Sequence, residues 1–323
     1  MKKTITALFC TIGVLAMGSA AASDNYPERP ITVVVPFVAG GAFDVVARLT
    51  ADKVGDALGK PVIIENKPGA GGTLGGRIVS QSKPDGYTLL LSGTGPISIA
   101  PAVYTNLGYT PTEVLEPVIQ LTSSPFVLAT SDDFTGDSVQ ELVQLLKENP
   151  EKYNYASTGN GTLVHLANEY FKNKTDTNAM HIPYGGGGEA AMSLVSGDTL
   201  FSITNIPNVY NQIKAGQLQA LATTGAERST AFPDTPTMQE SGIEDFDLTG
   251  WIGIFAPKDT PDEIIQKINS AYAFAMQDQR VQETLHQQGD IIATDSSTNF
   301  KDFLEESNQI WQSIAKSSNI SLD

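Results

Sequence analysis

The sequence predicts an α/β fold arranged as two lobes. Short apolar runs recur along the chain, each leading through a turn into a segment with helical spacing. The alternation restarts after a stretch punctuated by Pro96, Pro101, Pro111, Pro117 and Pro125. A chain of 323 residues also exceeds one typical core, so about two domains are expected.

The elements follow in order. Met1 to Ala22 reads as a secretory signal peptide: Lys2 and Lys3 precede an apolar run from Thr4 to Met17, and Ala20 and Ala22 form a small-residue cleavage site. Ile31 to Phe37 is a nearly unbroken apolar run, as buried parallel strands are. Ala39-Gly40-Gly41 turns the chain into a helix over Phe43 to Leu58. Val62 to Glu65 is a second strand, followed by Pro68 to Gly72 and a short helix to about Ser82. After the turn Pro84-Asp85-Gly86, Tyr87 to Leu91 is a third strand. The β-α-β-α-β order predicts a parallel sheet with right-handed crossovers.

The second unit begins with a strand at Phe126 to Thr130 and a helix opened by the capping box Ser138-x-x-Glu141. Tyr153 to Ser157 and Ala179 to Pro183 are strands, each leading through glycines into a helix. Leu200 to Thr204 and Leu218 to Thr223 are two more strands around a short helix. Trp251 to Ala256 then reads as a strand returning to the first unit. Thr260 with Pro261 and Glu263 opens a long helix to about Met276, and helices follow at Arg280 to Gln288 and Thr298 to Lys316. The division expected is lobe I over 24–124 plus 251–323, and lobe II over 125–250.

Composition narrows the function. The formal charge is −16, from 20 Lys+Arg against 36 Asp+Glu. Removal of the signal takes two lysines and no acid, so −16 becomes −18. An acidic surface disfavours nucleic acid and anionic membranes. The single Cys10 lies in the signal, so no disulfide or thiolate site is expected. His165, His181 and His286 are not at metal-ligand spacing, and H-E-x-x-H, G-x-S-x-G and Walker A motifs are absent. Neither a metal nor a cofactor is expected.

The glycine turns are the informative feature. Gly40-Gly41, Gly69 to Gly72, Gly159-Asn160-Gly161 and Gly185 to Gly188 all stand at strand-to-helix junctions. In open α/β sheets, ligands sit beyond the carboxyl ends of the strands. Helix N-termini and exposed backbone N–H groups there suit a carboxylate or phosphate. The Gly69 turn fails the dinucleotide pattern because Leu74 replaces its last glycine, and the Gly185 run lacks the Lys-Ser/Thr of a phosphate loop.

Several segments together resemble the extracytoplasmic solute receptors of the tripartite tricarboxylate transporter family, the Bug receptors. They are Tyr26-Pro27-Glu28-Arg29-Pro30-Ile31, Val35-Pro36-Phe37 with Ala39-Gly40-Gly41 and Asp44, Glu65-Asn66-Lys67-Pro68-Gly69-Ala70-Gly71-Gly72, and Pro84-Asp85-Gly86-Tyr87. His181-Ile182-Pro183-Tyr184, Leu221-Ala222-Thr223-Thr224-Gly225 and Pro233-Asp234-Thr235-Pro236-Thr237 agree. The resemblance covers essentially the whole mature chain. It implies a two-lobed periplasmic binding protein fold (type II-like) with ligand in the inter-lobe cleft. It also implies a monomeric receptor that delivers a small organic carboxylate to membrane permease subunits. Ligand contacts carried over are Phe37, Ala39, Gly40, Gly41 and Asp44 from the first loop, and Asn66, Gly69, Ala70, Gly71 and Gly72 from the second. Ser92, Gly93 and Thr94 follow the third strand, and Ser157, Thr158, Gly159, Pro183, Tyr184, Gly186 and Asn205 come from lobe II. For Asp44, a helix-capping role is ranked ahead of direct ligand contact. Asn205, where an Asp would favour an amine, favours a plain carboxylate over an amino acid. The alternatives are a secreted α/β hydrolase-type enzyme using one of the three His, or a ligand-presenting sensory subunit.

Overall fold

The computed structural model describes residues 25–322, so the signal-peptide expectation lies outside the described residues. Strand β1 (Ile31–Val35) is the β-branched run ITVVV, and it stops before Pro36 and Phe37. Helix α1 (Ala42–Leu58) ends at Gly59, whose left-handed backbone (φ 70°) lets its N–H reach the Gly55 carbonyl. Then come β2 (Val62–Asn66), a 3-10 turn at Ala70–Gly72, α2 (Thr73–Ser80) and β3 (Thr88–Gly93). A π-helical segment (Gly95–Ile99) and the short α3 (Ala100–Val103) and α4 (Pro111–Val114) lead into β4 (Leu115–Thr130).

The second half holds α5 (Val139–Glu148), β5 (Asn154–Ser157), α6 (Leu163–Thr175), β6 (Met180–Pro183), α7 (Gly187–Val195), β7 (Phe201–Asn205), α8 (Ile206–Lys214) and β8 (Gln219–Thr223). The chain closes with β9 (Thr249–Pro257), α9 (Asp262–Ala275), α10 (Gln279–Gln287), β10 (Ile291–Ile292) and α11 (Ser297–Ser317). The capping box forms in part: Ser138 accepts from the Glu141 N–H, while the Glu141 carboxylate accepts from the Ser138 hydroxyl and from the N–H of Asp137, one residue before the cap.

The strands form one curled sheet in the order β2-β1-β3-β9-β4-β7-β5-β6, with β10 and β8 also pairing to β4. It is mixed rather than parallel: β1, β2 and β3 are parallel, as are β5, β6 and β7, but β4 and β9 run antiparallel to their neighbours. Expecting a strand only at Phe126 to Thr130 missed the first two-thirds of β4. Pro117 and Pro125 argue against a central strand because they cannot donate to the ladder. The structure accommodates Pro117 at a register shift opposite β9, and Pro125 where the strand changes partners. Thr260 does not cap α9. Its hydroxyl turns back to the Pro257 carbonyl at 2.7 Å, and Pro261 is the cap residue.

β4 fixes how the two halves face each other. Its first part pairs with β9 as far as Pro125↔Thr249, beside the carboxyl ends of β1 to β3. Its second part enters the other half at Phe126↔Asn205, the carboxyl end of β7. Both sets of carboxyl ends therefore converge on the crossing at 124–126. Val33, Leu89, Ile254 and Tyr272 belong to the core of one half, and Phe126, Tyr155, Phe171 and Phe201 to that of the other. Helix α11 packs on both. Its Phe300 and Leu304 lie against Trp251 and Phe255, while Trp311 and Ile314 join the second core.

Candidate functional site

The loop after β1 is held by one carboxylate. Asp44 is 3 % exposed, and its Oδ2 accepts from the Gly40 N–H at 2.8 Å and from Arg48 Nε at 2.9 Å. Its Oδ1 accepts from Asn66 Nδ2 at 2.9 Å, and the same amide reaches the Phe37 carbonyl at 3.1 Å. Asp44 and Asn66 thus tie the first glycine loop to the end of β2. The Arg48 hydrogen bond holds the Asp44 carboxyl at about 2. Asp44 reaches back to Gly40, one residue before the cap residue Gly41, which itself supplies no side-chain cap.

The second loop has a run of left-handed backbone: Gly69 (φ 150°), Ala70 (φ 48°), Gly71 (φ 62°) and Gly72 (φ 93°). Ala70 in that region is unusual for a residue with a Cβ and marks stored strain. Gly72 leaves no room for a side chain, because a Cβ there would lie 2.6 Å from Pro96 Cγ and 2.9 Å from Phe37 Cζ. Phe37 in turn packs on Phe43, with ring centroids 4.4 Å apart. Phe43 and Pro96, which back the glycine loops, were not among the residues expected at the site.

β3 runs to Gly93, so Ser92 and Gly93 lie within the strand rather than after it. All three residues from Ser92 to Thr94 are buried. Thr94 Oγ1 accepts from the Trp251 N–H at 2.8 Å and ties β3 to β9. Ser92 Oγ is buried without a hydrogen-bond partner.

In the other half, Ser157 ends β5 and leads into the turn through Thr158 and Gly159, while Pro183 ends β6 with Tyr184 next. Tyr184 donates its backbone N–H to the Ser157 carbonyl at 3.0 Å, which brings these two turns together. Gly186 and Asn205 are the cap residues of α7 and α8, and neither provides a side-chain cap. Helices α1 and α2 also start without one. By contrast, Ser138, Thr162, Asp278 and Ser296 cap α5, α6, α10 and α11. Helices α1, α2, α7 and α8 thus keep first-turn N–H groups that no side chain caps, the arrangement that suits an anionic oxygen, whereas α6, which begins after the Gly159 turn, is capped; α3, α4 and α9, away from these loops, are uncapped as well.

The histidines are where expectation and structure part most. Spacing gave no reason to associate His165 with His181, yet their rings stack at 3.9 Å with an 11° interplanar angle, and Tyr155 stacks on His181 at 5.0 Å. His181 Nε2 lies 2.6 Å from Ser157 Oγ, and His165 Nδ1 accepts the Gly161 N–H at 3.0 Å. The T-x-x-H string at 162–165 was the signal: Thr162 accepts from the His165 N–H while His165 reaches back to the Gly161 N–H, one residue before the cap, a variant of the capping box with imidazole in place of carboxylate. Burial lowers both His values, and the His165 neighbour lowers His181 further, to about 4.

Those shifts set a sign. Between about pH 6.5 and pH 4 the unfolded chain binds more protons at His181 than the fold does, so this site's contribution to stability is lost as pH falls through that window. Asp290, bonded to Ser124 at the crossing, acts in the opposite sense because burial pushes its carboxyl up to about 6. Urea titrations of wild type and His181→Gln cancel the Asp290 contribution. Wild type is expected to lose about 1–2 kcal/mol more than the variant between pH 7 and pH 4.5, a value halved for the half-exposed ring. Equal losses would refute a neutral His181.

A family profile described as "Tripartite tricarboxylate transporter family receptor" matches residues 46–320. The chain belongs to this receptor family. It is 35 % identical over 319 residues to protein BugT of Bordetella pertussis, covering 97 % of each chain. Among solved structures, the periplasmic binding protein BugD superposes on this family member with a TM-score of 0.74 at 33 % identity, over 92 % of this chain and 99 % of BugD. MatC from Rhodopseudomonas palustris with bound malate gives a TM-score of 0.74 at 30 % identity, over 90 % of this chain and 99 % of MatC. The family is one of solute-binding receptors, and this member has their two-lobed periplasmic binding protein fold. No helix among the described residues of the receptor is long and apolar enough to cross a membrane.

Proposed function

We propose that this chain is a periplasmic receptor that captures a small organic carboxylate and delivers it to the membrane permease of a tripartite tricarboxylate transporter. Residues 1–22 would be removed on export, and the mature receptor would act as a monomer. Lobe I (24–124 with 251–323) and lobe II (125–250) would close on the ligand, which binds without being chemically changed. The observation that carries this reading is the set of helix N-termini without side-chain caps, α1, α2, α7 and α8, at the converging strand ends. Malate bound in the related MatC supports a dicarboxylate or tricarboxylate class. Phe37, Ala39, Gly40, Gly41 and Gly69 to Gly72 would surround one carboxylate, with Ser92 nearby. Thr158, Gly159, Pro183, Tyr184, Gly186 and Asn205 would meet the rest of the ligand.

Isothermal titration with citrate, succinate, L-malate, adipate, glutamate and benzoate tests the reading. Binding of at least one plain carboxylate is expected, and glutamate is expected to bind more weakly than its closest non-amino analogue. Affinity should fall only modestly with added salt, because buried donors are poorly screened. A receptor that ignores every carboxylate but binds a neutral sugar or a cation would not fit this function.

A further inference from the structure

The stacked histidines sit directly behind the turn that the proposed ligand would meet. Ser157 Oγ is fully buried and makes three contacts: it accepts the Gly159 N–H at 3.1 Å, donates to the Gly159 carbonyl at 3.2 Å, and lies 2.6 Å from His181 Nε2. A hydroxyl has one proton and two lone pairs. With the proton on the Gly159 carbonyl and one lone pair taken by the Gly159 N–H, the remaining lone pair accepts from His181. An imidazole protonated on Nδ1 would take the Ser157 proton instead, so in this arrangement His181 carries its proton on Nε2. His165 does the same, because its Nδ1 accepts from Gly161.

The two rings hold successive points of one turn. His181 acts on Gly159 through Ser157, and His165 acts on Gly161 directly. Both glycines have left-handed backbone, at φ 122° and φ 67°, which is soft unless held from outside. The charged groups packed around the rings are Glu169 and Lys172 of α6, which pair with each other at 2.7 Å, while the Glu169 carboxylate also accepts from the Tyr155 hydroxyl. Tyr155 of β5 covers the open face of His181.

We propose that the neutral His165–His181 stack is a positioning element of the binding site, bracing the 157–161 turn from behind so that Thr158 and Gly159 are held in place for a ligand oxygen. This rests on the receptor reading above. Neither imidazole touches the ligand. Protonating His165 removes the acceptor of the Gly161 N–H, and protonating either ring sets a charge against its stacked neighbour.

Two measurements on the mature receptor test it. Long-range ¹H–¹⁵N spectra of the imidazoles, taken without ligand at pH 7.5, should show both rings protonated on Nε2. A His181 protonated on Nδ1 overturns the proposal. His181→Gln keeps a donor close to the position of Nε2, whereas His181→Phe keeps only the stack. The Gly159 and Gly161 amide resonances should stay near wild-type positions in His181→Gln and move in His181→Phe. Affinity for the tightest carboxylate of the panel above should fall at least tenfold in His181→Phe and within threefold in His181→Gln. Equal affinities in the two variants overturn the positioning role. If wild type binds no carboxylate while the spectra and amide shifts behave as stated, the receptor reading fails and the bracing of the turn stands.

Discussion

Gly93→Ala is expected to destabilise the receptor by at least about 3 kcal/mol, the upper range for forcing extra volume into a packed core. The added Cβ would lie 2.2 Å from the Trp251 carbonyl oxygen and 3.0 Å from the Phe43 ring. The first of these is backbone in a central strand, so it cannot swing aside as a side chain end can. Relief requires β3 and β9 to separate where Gly93 pairs with Ile252 and where Thr94 is bonded to the Trp251 N–H. Thermal unfolding should show a midpoint roughly 6–12 °C below wild type. Gly95→Ala is the matched control two residues on. A Cβ there meets nothing within 4 Å, and its stability should stay within about 0.5 kcal/mol of wild type. A Gly93→Ala protein as stable as that control would show that the two strands are not packed as closely as the geometry requires.

Gly93 also illustrates what could be read from the sequence and what could not. The strand leading to it was legible, since YTLLL is an apolar run after a Pro-Asp-Gly turn, although the expected strand stopped at Leu91 and β3 runs on to Gly93. Its reason for being glycine was not, because that depends on Trp251, more than 150 positions away. The same division runs through the chain. β1, α1, α5 and the glycine turns follow from local signals: β-branched runs, a capping box, a left-handed C-terminal glycine. The first part of β4 was hidden because Pro117 and Pro125 obey a tertiary bulge and a change of partner rather than local propensity. The histidine stack was hidden because parallel pairing of β5 with β6 places His181 opposite Tyr155, diagonal to Ser157 on the same face. Only the register reveals that neighbourhood. Net charge is silent in a related way. An acidic chain disfavours polyanions, yet the proposed site would use backbone dipoles and helix ends, which formal charge does not count.

Asp44→Ala is expected to cost about 2–4 kcal/mol in stability, because a buried carboxylate with charge-assisted bonds leaves its donors stranded when removed. The Gly40 N–H and the Asn66 amide would both lose their acceptor, and the first loop would come untied from the end of β2. Arg48→Ala should cost much less, because the Arg48 side chain is 54 % exposed and its pairing is screened by solvent. The contrast between the two variants separates the carboxylate's hold on the loop from its salt bridge. The pH dependence has a defined sign. A carboxyl held at about 2 contributes stability that is present above its unfolded value near 3.8 and is lost as pH falls toward 2. Acid titrations of wild type and Asp44→Ala should therefore converge at low pH. Binding gives the second arm. Both Asp44 oxygens are already taken by loop and helix partners, so the side chain acts on a ligand by shaping the Phe37 to Gly41 backbone. Asp44→Asn, which keeps the shape and one acceptor oxygen, should retain more carboxylate affinity than Asp44→Ala. It also removes a negative charge beside the proposed anion site. If Asp44→Asn bound the carboxylate no better than Asp44→Ala, holding the loop would not be the function of this side chain, and direct contact with the ligand would take its place.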